Sequence, residues 1–291
     1  MNLAEHTKEL CQQYGIKPNR SKGQNFLINE DVYDKIIESA DLNENDIVLE
    51  VGPGLGFLTA ELSQKVKRVI AVELDDKLAE ILQTGLKSQK IQNIKVLNEN
   101  VLDFDFYALP LTEGACLSGR QVGGGRIGDL IKYKIVANLP YNITSVFLRK
   151  FLEAEHKPEL MVLMLQKEVA ERIVAQPGEM SLLAVSVQFY ADPKIIRYVP
   201  KEDFYPQPEV DSAIIKLKVK SEKLKVNEKD FFRLVKFGFS SKRKMLKNNL
   251  AGGYHITQKE AENIIKNAGF NPKIRAQELS VSDWKKLLGS F

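Results

Sequence analysis

One stretch constrains this chain more than any other. A mostly apolar run, Ile47–Val51, passes into Glu50-Val51-Gly52-Pro53-Gly54-Leu55-Gly56, then into helical spacing over Phe57–Gln64, then into a second apolar run, Val69–Glu73. A strand that turns through glycines into a helix and returns as a strand is a βαβ unit. Such a unit commits its two strands to parallel places in one sheet. Glycines at the turn let the backbone come close to a ligand. Glu73, 21 residues after Gly52, closes the second strand. A carboxylate at that point can accept hydrogen bonds from both hydroxyls of a ribose. The pattern points to a nucleoside-containing ligand at the carboxyl ends of the strands.

The alternation continues. Lys77–Leu86 reads as a helix, Ile94–Leu97 and Tyr133–Ala137 as strands, Val146–Ala154 as a helix, Leu160–Leu165 as a strand and Lys167–Ala175 as a helix. This spacing predicts an α/β, Rossmann-like, doubly wound sheet with helices on both faces. Residues 1–20 read as a helix that runs into a basic segment, Lys17 to Lys22, and residues 30–40 as a second helix. Two later runs, Leu182–Tyr190 and Ala213–Val219, read as strands able to form an antiparallel edge. After Lys220 the composition is helical, basic and strand-free. The boundary is therefore expected near residues 205–220, with a catalytic domain over 1–210 and the last strand plus a small helical domain over 211–291. Residues 112–130 hold six glycines and read as a flexible loop at the amino-end edge of the sheet. No Gly-Lys-Ser/Thr follows them, which excludes a phosphate loop of the NTPase kind.

Composition excludes several classes. The longest apolar run, Leu160–Leu165, has six residues, far short of the roughly 18 a membrane span needs. The first residues carry Glu5, Lys8 and Glu9, so no secretory leader is expected. Cys11 and Cys116 are the only cysteines, too few for a disulfide framework or a zinc site, so a reducing, cytoplasmic setting without a bound metal is expected. The net charge is +4, but it is unevenly distributed. Residues 214–291 hold 18 basic and 7 acidic residues (+11), leaving 24 basic and 31 acidic (−7) in the remainder. A basic appendage of this kind suits a polyanion.

The glycine spacing bears on which nucleoside binds. The dinucleotide fingerprint is G-x-G-x-x-G, but here the third glycine comes one residue early and Phe57 stands where the fingerprint wants glycine. G-x-G-x-G is more typical of S-adenosyl-L-methionine sites, which cradle no pyrophosphate. On this motif alone a nicotinamide dinucleotide stays the alternative. The fourth strand then ends in Ala137-Asn138-Leu139-Pro140-Tyr141. An adenine amine is a poor nucleophile because its lone pair is delocalised into the ring. An enzyme that alkylates it must hold both amine hydrogens and let the nitrogen pyramidalise. The Asn138 amide oxygen can take one hydrogen and the Leu139 carbonyl the other, with Pro140 fixing its direction. Tyr141 offers a flat face for the base, worth ~1–3 kcal/mol. No strong general base is needed, so positioning and electrostatics carry the catalysis.

At this point the chain resembles the ribosomal RNA adenine dimethyltransferases, above all the KsgA-type small-subunit enzymes. The matching stretches are Gly23–Leu27, Glu50–Gly56, Val72–Asp75, Asn138–Tyr141, Met164–Arg172, Phe204–Ala213 and Phe239–Leu250. The resemblance implies dimethylation of two adjacent adenosines near the 3′ end of small-subunit rRNA. It implies S-adenosyl-L-methionine as cofactor, and a monomer acting on an immature 30S particle. It further implies that Asn25 and Leu27 close over the cofactor and that Gly52 and Gly54 approach it. Glu73 takes the ribose with Leu74 beside it, and Asn138 lies between cofactor and target amine. Phe204 stacks on the adenine opposite Tyr141.

Three departures stand out. Asn100 occupies the position of the family's usual Asp for the cofactor's adenine amine; an amide oxygen can still accept that bond. The 112–130 loop is long for the family, and Pro177–Leu182 lacks the family's usual Tyr-Gly pair. Two alternatives remain. One is a large-subunit (23S) methyltransferase of the macrolide-resistance type, although those more often read Asn-Ile-Pro-Tyr and Val-Asn-Ser where this chain has Leu139 and Asp211-Ser212. The other is an RNA-binding assembly factor in which catalysis is secondary. For RNA contact, Lys242, Arg243, Lys244 and Lys247 fall within two helical turns by sequence and suit phosphates.

Overall fold

The computed structural model describes residues 2–18, 23–88, 91–104, 132–220 and 226–291, together with the backbone of 121–122 and 125–126. Helix α1 (Leu3–Gln13) starts at a capping box in which Asn2 and Glu5 satisfy each other's backbone N–H groups. After strand β1 (Phe26–Leu27) and helix α2 (Glu30–Ser39) comes the βαβ unit: β2 (Ile47–Val51), α3 (Phe57–Ser63) and β3 (Arg68–Glu73). Helix α4 (Asp76–Ser88) and strand β4 (Ile94–Asn98) follow. A two-residue ladder joins β5 (Gln121–Val122) to β6 (Gly125–Arg126). The rest of the expected flexible loop over 112–130 lies outside the described residues, as do Asn19 to Lys22 of the basic segment. The chain continues through β7 (Lys134–Asn138), α5 (Thr144–Glu153), β8 (Leu160–Gln166) and α6 (Lys167–Ile173).

Seven strands form the main sheet in the order β4-β3-β2-β7-β8-β11-β9, where β9 is Ala191–Val199 and β11 is Ser212–Val219. The neighbours from β4 to β8 are parallel, and β11 runs antiparallel to β8. The chain steps outward from β2 through β3 to β4, then resumes on the other side of β2 with β7. The gap between the carboxyl ends of β2 and β7 is therefore the topological switch point, where open α/β sheets bind ligands. Strands β2, β3, β7 and β8 are almost wholly buried, as expected of strands covered on both faces.

One expectation is corrected. Leu182–Tyr190, read as a strand, is a helix, α7. Ser181 caps it by accepting a hydrogen bond from the Ala184 N–H, and Ala184, Val185, Val187, Phe189 and Tyr190 are all buried. An apolar run buried over most of its circumference shows no 3.6-residue period, and its valines mimic a strand. The edge strand is instead the next segment, β9, which tolerates Pro193 because an edge leaves one side of the backbone unpaired.

The fold divides into two compact units, Met1–Lys167 with Lys194–Val219, and Glu168–Pro193 with Lys220–Phe291. Strand β11 thus groups with the sheet, and residues 168–193 group with the C-terminal helices. Those helices are α8 (Glu228–Gly238), α9 (Leu246–Tyr254), α10 (Gln258–Asn267) and α11 (Val281–Leu288). Within this second unit the Phe189 ring stacks on Phe231 at 4.3 Å, and Tyr190 donates to Glu228 at 2.8 Å. Residues 168–193 join this unit because its aromatic core needs α7. Among the described residues no helix is long and apolar enough to cross a membrane.

Gly56 caps α3 with a left-handed φ of +85°, and a side chain there would run into Leu82 of α4. Gly56→Ala combines backbone strain with that clash. It is expected to cost about 1–3 kcal/mol of stability, read as a lowered thermal midpoint; an unchanged midpoint would contradict the packing at this turn.

Candidate active site

The turn after β2 forms one wall of a cavity of about 300 Å³, at the small end of ligand sites. Gly54 has φ +58°, and a Cβ on it would press on the Phe26 ring at 3.1 Å. Only glycine lets the backbone line the cavity here. Strand β1 also lines the cavity. It pairs antiparallel with β10 (Phe204–Tyr205), and Leu27 is fully buried. Gly52, Gly54, Glu73, Leu74, Asn25, Leu27, Asn100 and Asn138 all line this one space.

Glu73 closes β3 and is buried, yet fully engaged. Its Oε2 accepts the Gly54 N–H at 3.1 Å and its Oε1 the Asp75 N–H at 2.9 Å. Burial raises its pKa and the Asp75 charge adds to the rise, while the N–H groups of Asp75, Gly54 and Leu74 oppose it. A carboxylate has about four lone-pair sites, so Glu73 keeps acceptor capacity beyond these donors, as a ribose hydroxyl requires. Leu74, next to it, is 59% exposed and offers an apolar face to the cavity. Asn100 folds into a local turn, accepting the Leu102 N–H at 3.0 Å and donating to Asp103 at 2.9 Å. Its oxygen retains a second acceptor position at the cavity wall.

On the other side of the switch point, Asn138 ends β7. Its Nδ2 donates to the Asn25 carbonyl at 3.3 Å, which turns its amide oxygen away from that segment. The Leu139 N–H donates to the Met164 carbonyl at 3.3 Å, and Pro140 leads into a 3-10 turn over Tyr141–Ile143. The Tyr141 hydroxyl lies 2.6 Å from Ser212 Oγ. Burial, and the nearby Asp211 charge, hold its phenol above the ordinary value against the opposing pull of Ser212. Tyr141 is therefore a neutral ring and not a base. Asn138 and Pro140 line the cavity, whereas Tyr141 and Phe204 do not. Phe204 is only 3% exposed and packs in the core with Leu27, Val136 and Ile214.

The basic cluster is also corrected in detail. Lys242, Arg243 and Lys244 are exposed, but they lie in the turn between α8 and α9 and not on a helix. The buried Asn249 holds that turn by donating to the carbonyls of Gly238 at 2.6 Å and Ser241 at 3.0 Å. Lys247 alone is helical, and it is paired with Glu262 at 2.7 Å.

The family model for ribosomal RNA adenine dimethylase matches residues 15–290. The chain is 44% identical over 288 residues to ribosomal RNA small subunit methyltransferase A of Dehalococcoides mccartyi, covering 98% of this chain and 92% of that one. It is 39% identical over 291 residues to the protein of the same name from Pelotomaculum thermopropionicum, covering 98% and 95%. Among solved structures it is similar to a dimethyladenosine transferase from Plasmodium falciparum, with a TM-score of 0.74 and 25% identity over 90% of this chain and 95% of that one. It is also similar to the 23S rRNA methyltransferase ErmE, with a TM-score of 0.70 and 25% identity over 91% and 99%.

One residue that sequence reasoning quoted but gave no role is Glu50. It is 1% exposed on β2 and lines the cavity. Burial pushes its carboxyl up to about 8; the Thr59 hydroxyl opposes this and Glu73 adds to it. Neither Glu50 Oε2 nor the Thr59 hydroxyl reaches hydrogen-bond geometry with a partner. An acid inside an otherwise apolar strand was the available signal. Because the folded value lies above the ordinary 4.5, the folded chain holds a proton that the unfolded chain releases. This contribution to stability is complete below about pH 4.5 and is lost as pH rises towards about 8. Glu50→Gln cannot ionise and is expected to lose less stability than wild type between about pH 5.5 and 8. Thermal midpoints across that range check this; parallel curves would mean that Glu50 is ionised throughout.

Proposed function

The chain belongs to the ribosomal RNA adenine dimethylase family, and from that premise we infer that it dimethylates the exocyclic amine of adenosine in small-subunit rRNA, using S-adenosylmethionine. The observation that carries this reading is a ribose-type acid, Glu73, and an amine-holding amide, Asn138, lining one cavity at the β2/β7 switch point. The large-subunit alternative is not favoured. The relatives at 38–44% identity over nearly the whole chain are small-subunit enzymes by name, whereas the 23S enzyme is 25% identical.

The residues fit the cofactor. Glu73 has acceptor capacity for a ribose hydroxyl, Leu74 offers a face for the adenine, and the glycine wall leaves room for the methionine part. Glu50 Oε2 adds an unpaired buried oxygen on a carboxyl that burial keeps protonated near neutral pH. When bound, the cofactor supplies an electrophilic methyl group on a sulfonium. Asn138 accepts one amine hydrogen of the target adenine with the oxygen that its bond to Asn25 turns outward. The Leu139 carbonyl accepts the other, aimed by Pro140. Together they hold the nitrogen lone pair out of conjugation. Tyr141 supplies a flat face and, as a neutral phenol, takes no proton. In this reading Phe204 serves the opposite face of the base from the core side, through the β1–β10 ribbon. The methylated amine is transiently acidic, so water suffices as proton acceptor. We further propose that the targets are two adjacent adenosines near the 3′ end, within an incompletely assembled particle in the cytoplasm. We also propose that it acts as a monomer.

The decisive experiment is labelled cofactor with immature 30S particles and, separately, naked 23S RNA, followed by product mapping. Label in dimethyladenosine of the small-subunit RNA is expected; label confined to 23S RNA would overturn the reading. In the same protein, Glu73→Ala should weaken cofactor binding by about 1–3 kcal/mol through loss of charge-assisted bonds. Calorimetry giving unchanged affinity in a folded variant would remove Glu73 from the site.

For RNA binding we assign Lys242, Arg243 and Lys244 to phosphate contacts, with Lys247 contributing less because it is tied to Glu262, a carboxylate it shares with Lys266. Replacing the three exposed residues should lower the salt slope of RNA affinity by roughly 0.7 per lost single-strand contact, with cofactor affinity unchanged. Lys247→Met should leave the slope nearly as it was. Parallel salt plots for the triple variant would move the RNA surface elsewhere.

A further inference from the structure

Behind the proposed target-base turn lies a partly buried hydroxyl pair to which the chemistry above assigns no work. Ser212 opens β11 with no exposed surface, its Cα opposite Gln166 at the end of β8. Strand β8 is the neighbour of β7, where Met164 stands opposite Asn138. Ser212 thus sits two strands from the amide that holds the amine. Its Oγ is 2.6 Å from the Tyr141 hydroxyl. The preceding residue anchors the position on two sides. The Asp211 carbonyl accepts the Lys167 N–H at 3.0 Å, and its Oδ1 accepts the Lys201 N–H at 3.2 Å, at the turn that leads into Phe204.

We propose that Ser212 is a positioning residue for methyl transfer, fixing the tilt of the Tyr141 ring and thereby the plane of the adenine stacked on it. The inference rests on the reading of Tyr141 as the base platform. A tyrosine ring in a site with an open side is held at its Cβ end by the backbone and elsewhere only by soft contacts. A hydrogen bond at the hydroxyl pins the far end of the ring. The partner must itself be immobile for this to work. Ser212 meets that condition because it is a buried residue of a ladder whose flanking Asp211 is tied to two other segments. A buried hydroxyl left unpaired costs about 1–3 kcal/mol, so the pair favours a single ring orientation. The payoff is angular. The amine hydrogens must meet the Asn138 oxygen and the Leu139 carbonyl together, and a misplacement of about 1 Å at such a site can cost roughly 100-fold in rate. Burial and the Asp211 charge keep the Tyr141 proton in place, so the bond persists across neutral pH.

The test uses the full-length protein and its RNA particle substrate. Ser212→Ala and Tyr141→Phe each remove one hydroxyl of the pair. Each is expected to lower kcat by roughly three- to tenfold, with little change in KM for RNA and none in cofactor affinity. The double variant should be no worse than the weaker single. Tyr141→Phe leaves β11 untouched, so it carries the test if Ser212→Ala does not fold. RNA with 2-aminopurine at the target position supplies an independent readout, because stacking quenches its fluorescence. Both single variants should show partial quenching, and Tyr141→Ala none. Unchanged kcat in Tyr141→Phe, or effects that multiply in the double variant, would overturn the role of Ser212 while a dead Tyr141→Ala still upholds the platform. An active Tyr141→Ala with full quenching would overturn the platform itself, and the inference with it.

Discussion

The Glu73 carboxylate ties the proposed cofactor site together. It accepts one N–H from the glycine turn after β2 and one from the turn after β3, so a single buried side chain fixes two loops that the sheet only brings near each other. Without it the Gly54 backbone would have no reason to hold a left-handed conformation against Phe26. The carbonyl of the same residue accepts from Glu99 and from the Asn98 side chain, which draws the Asn100 turn to the same edge. Burying a carboxylate is costly unless it is hydrogen-bonded, and here those bonds assemble the walls of the cavity.

A second set of contacts joins the cofactor side to the base side. The segment carrying Asn25 and Leu27 pairs with Phe204–Tyr205 through β1 and β10. Asn29 donates to Asp203 at 3.0 Å, and the Ile28 N–H donates to the Asp203 carbonyl at 2.8 Å. The Asn25 carbonyl in turn orients Asn138. The segment proposed to cover the cofactor is thus hydrogen-bonded both to the amide proposed to hold the target amine and to the segment that carries Phe204. Phe204 itself is a core residue in this arrangement, which gives the ribbon a fixed base.

Charge is divided unevenly along the chain, as the proposed RNA contact would require. The sheet-bearing part carries a net negative charge and the C-terminal part a positive one. A flipped adenine is a small target and cannot by itself select one RNA among many. Backbone contacts must then supply the selection. The turn after α8 presents Lys242, Arg243 and Lys244, and it is held in shape by Asn249, an uncharged residue that composition would not single out.

Local chemistry made much of this legible in the sequence. Strands β2, β3, β7 and β8 announced themselves as apolar runs because parallel strands are buried on both faces. That the glycine turn, Glu73 and Asn138 stand at strand ends could be read because a strand that turns into a helix needs particular residue types at short spacings. Tertiary structure decided the remainder. Helix α7 was misread because burial over most of its circumference erases the helical period. That Phe204 is set in the core depends on what packs over it, which no local pattern shows. Lys247 looks equivalent to its neighbours in sequence, but it is paired with Glu262, 15 residues away. Neither the unpaired state of Glu50 nor the bond between Tyr141 and Ser212, 71 residues apart, has any local signature. Backbone propensity and motif spacing act over a few residues and are written in order along the chain, whereas burial and side-chain pairing depend on segments that meet only once the sheet has closed.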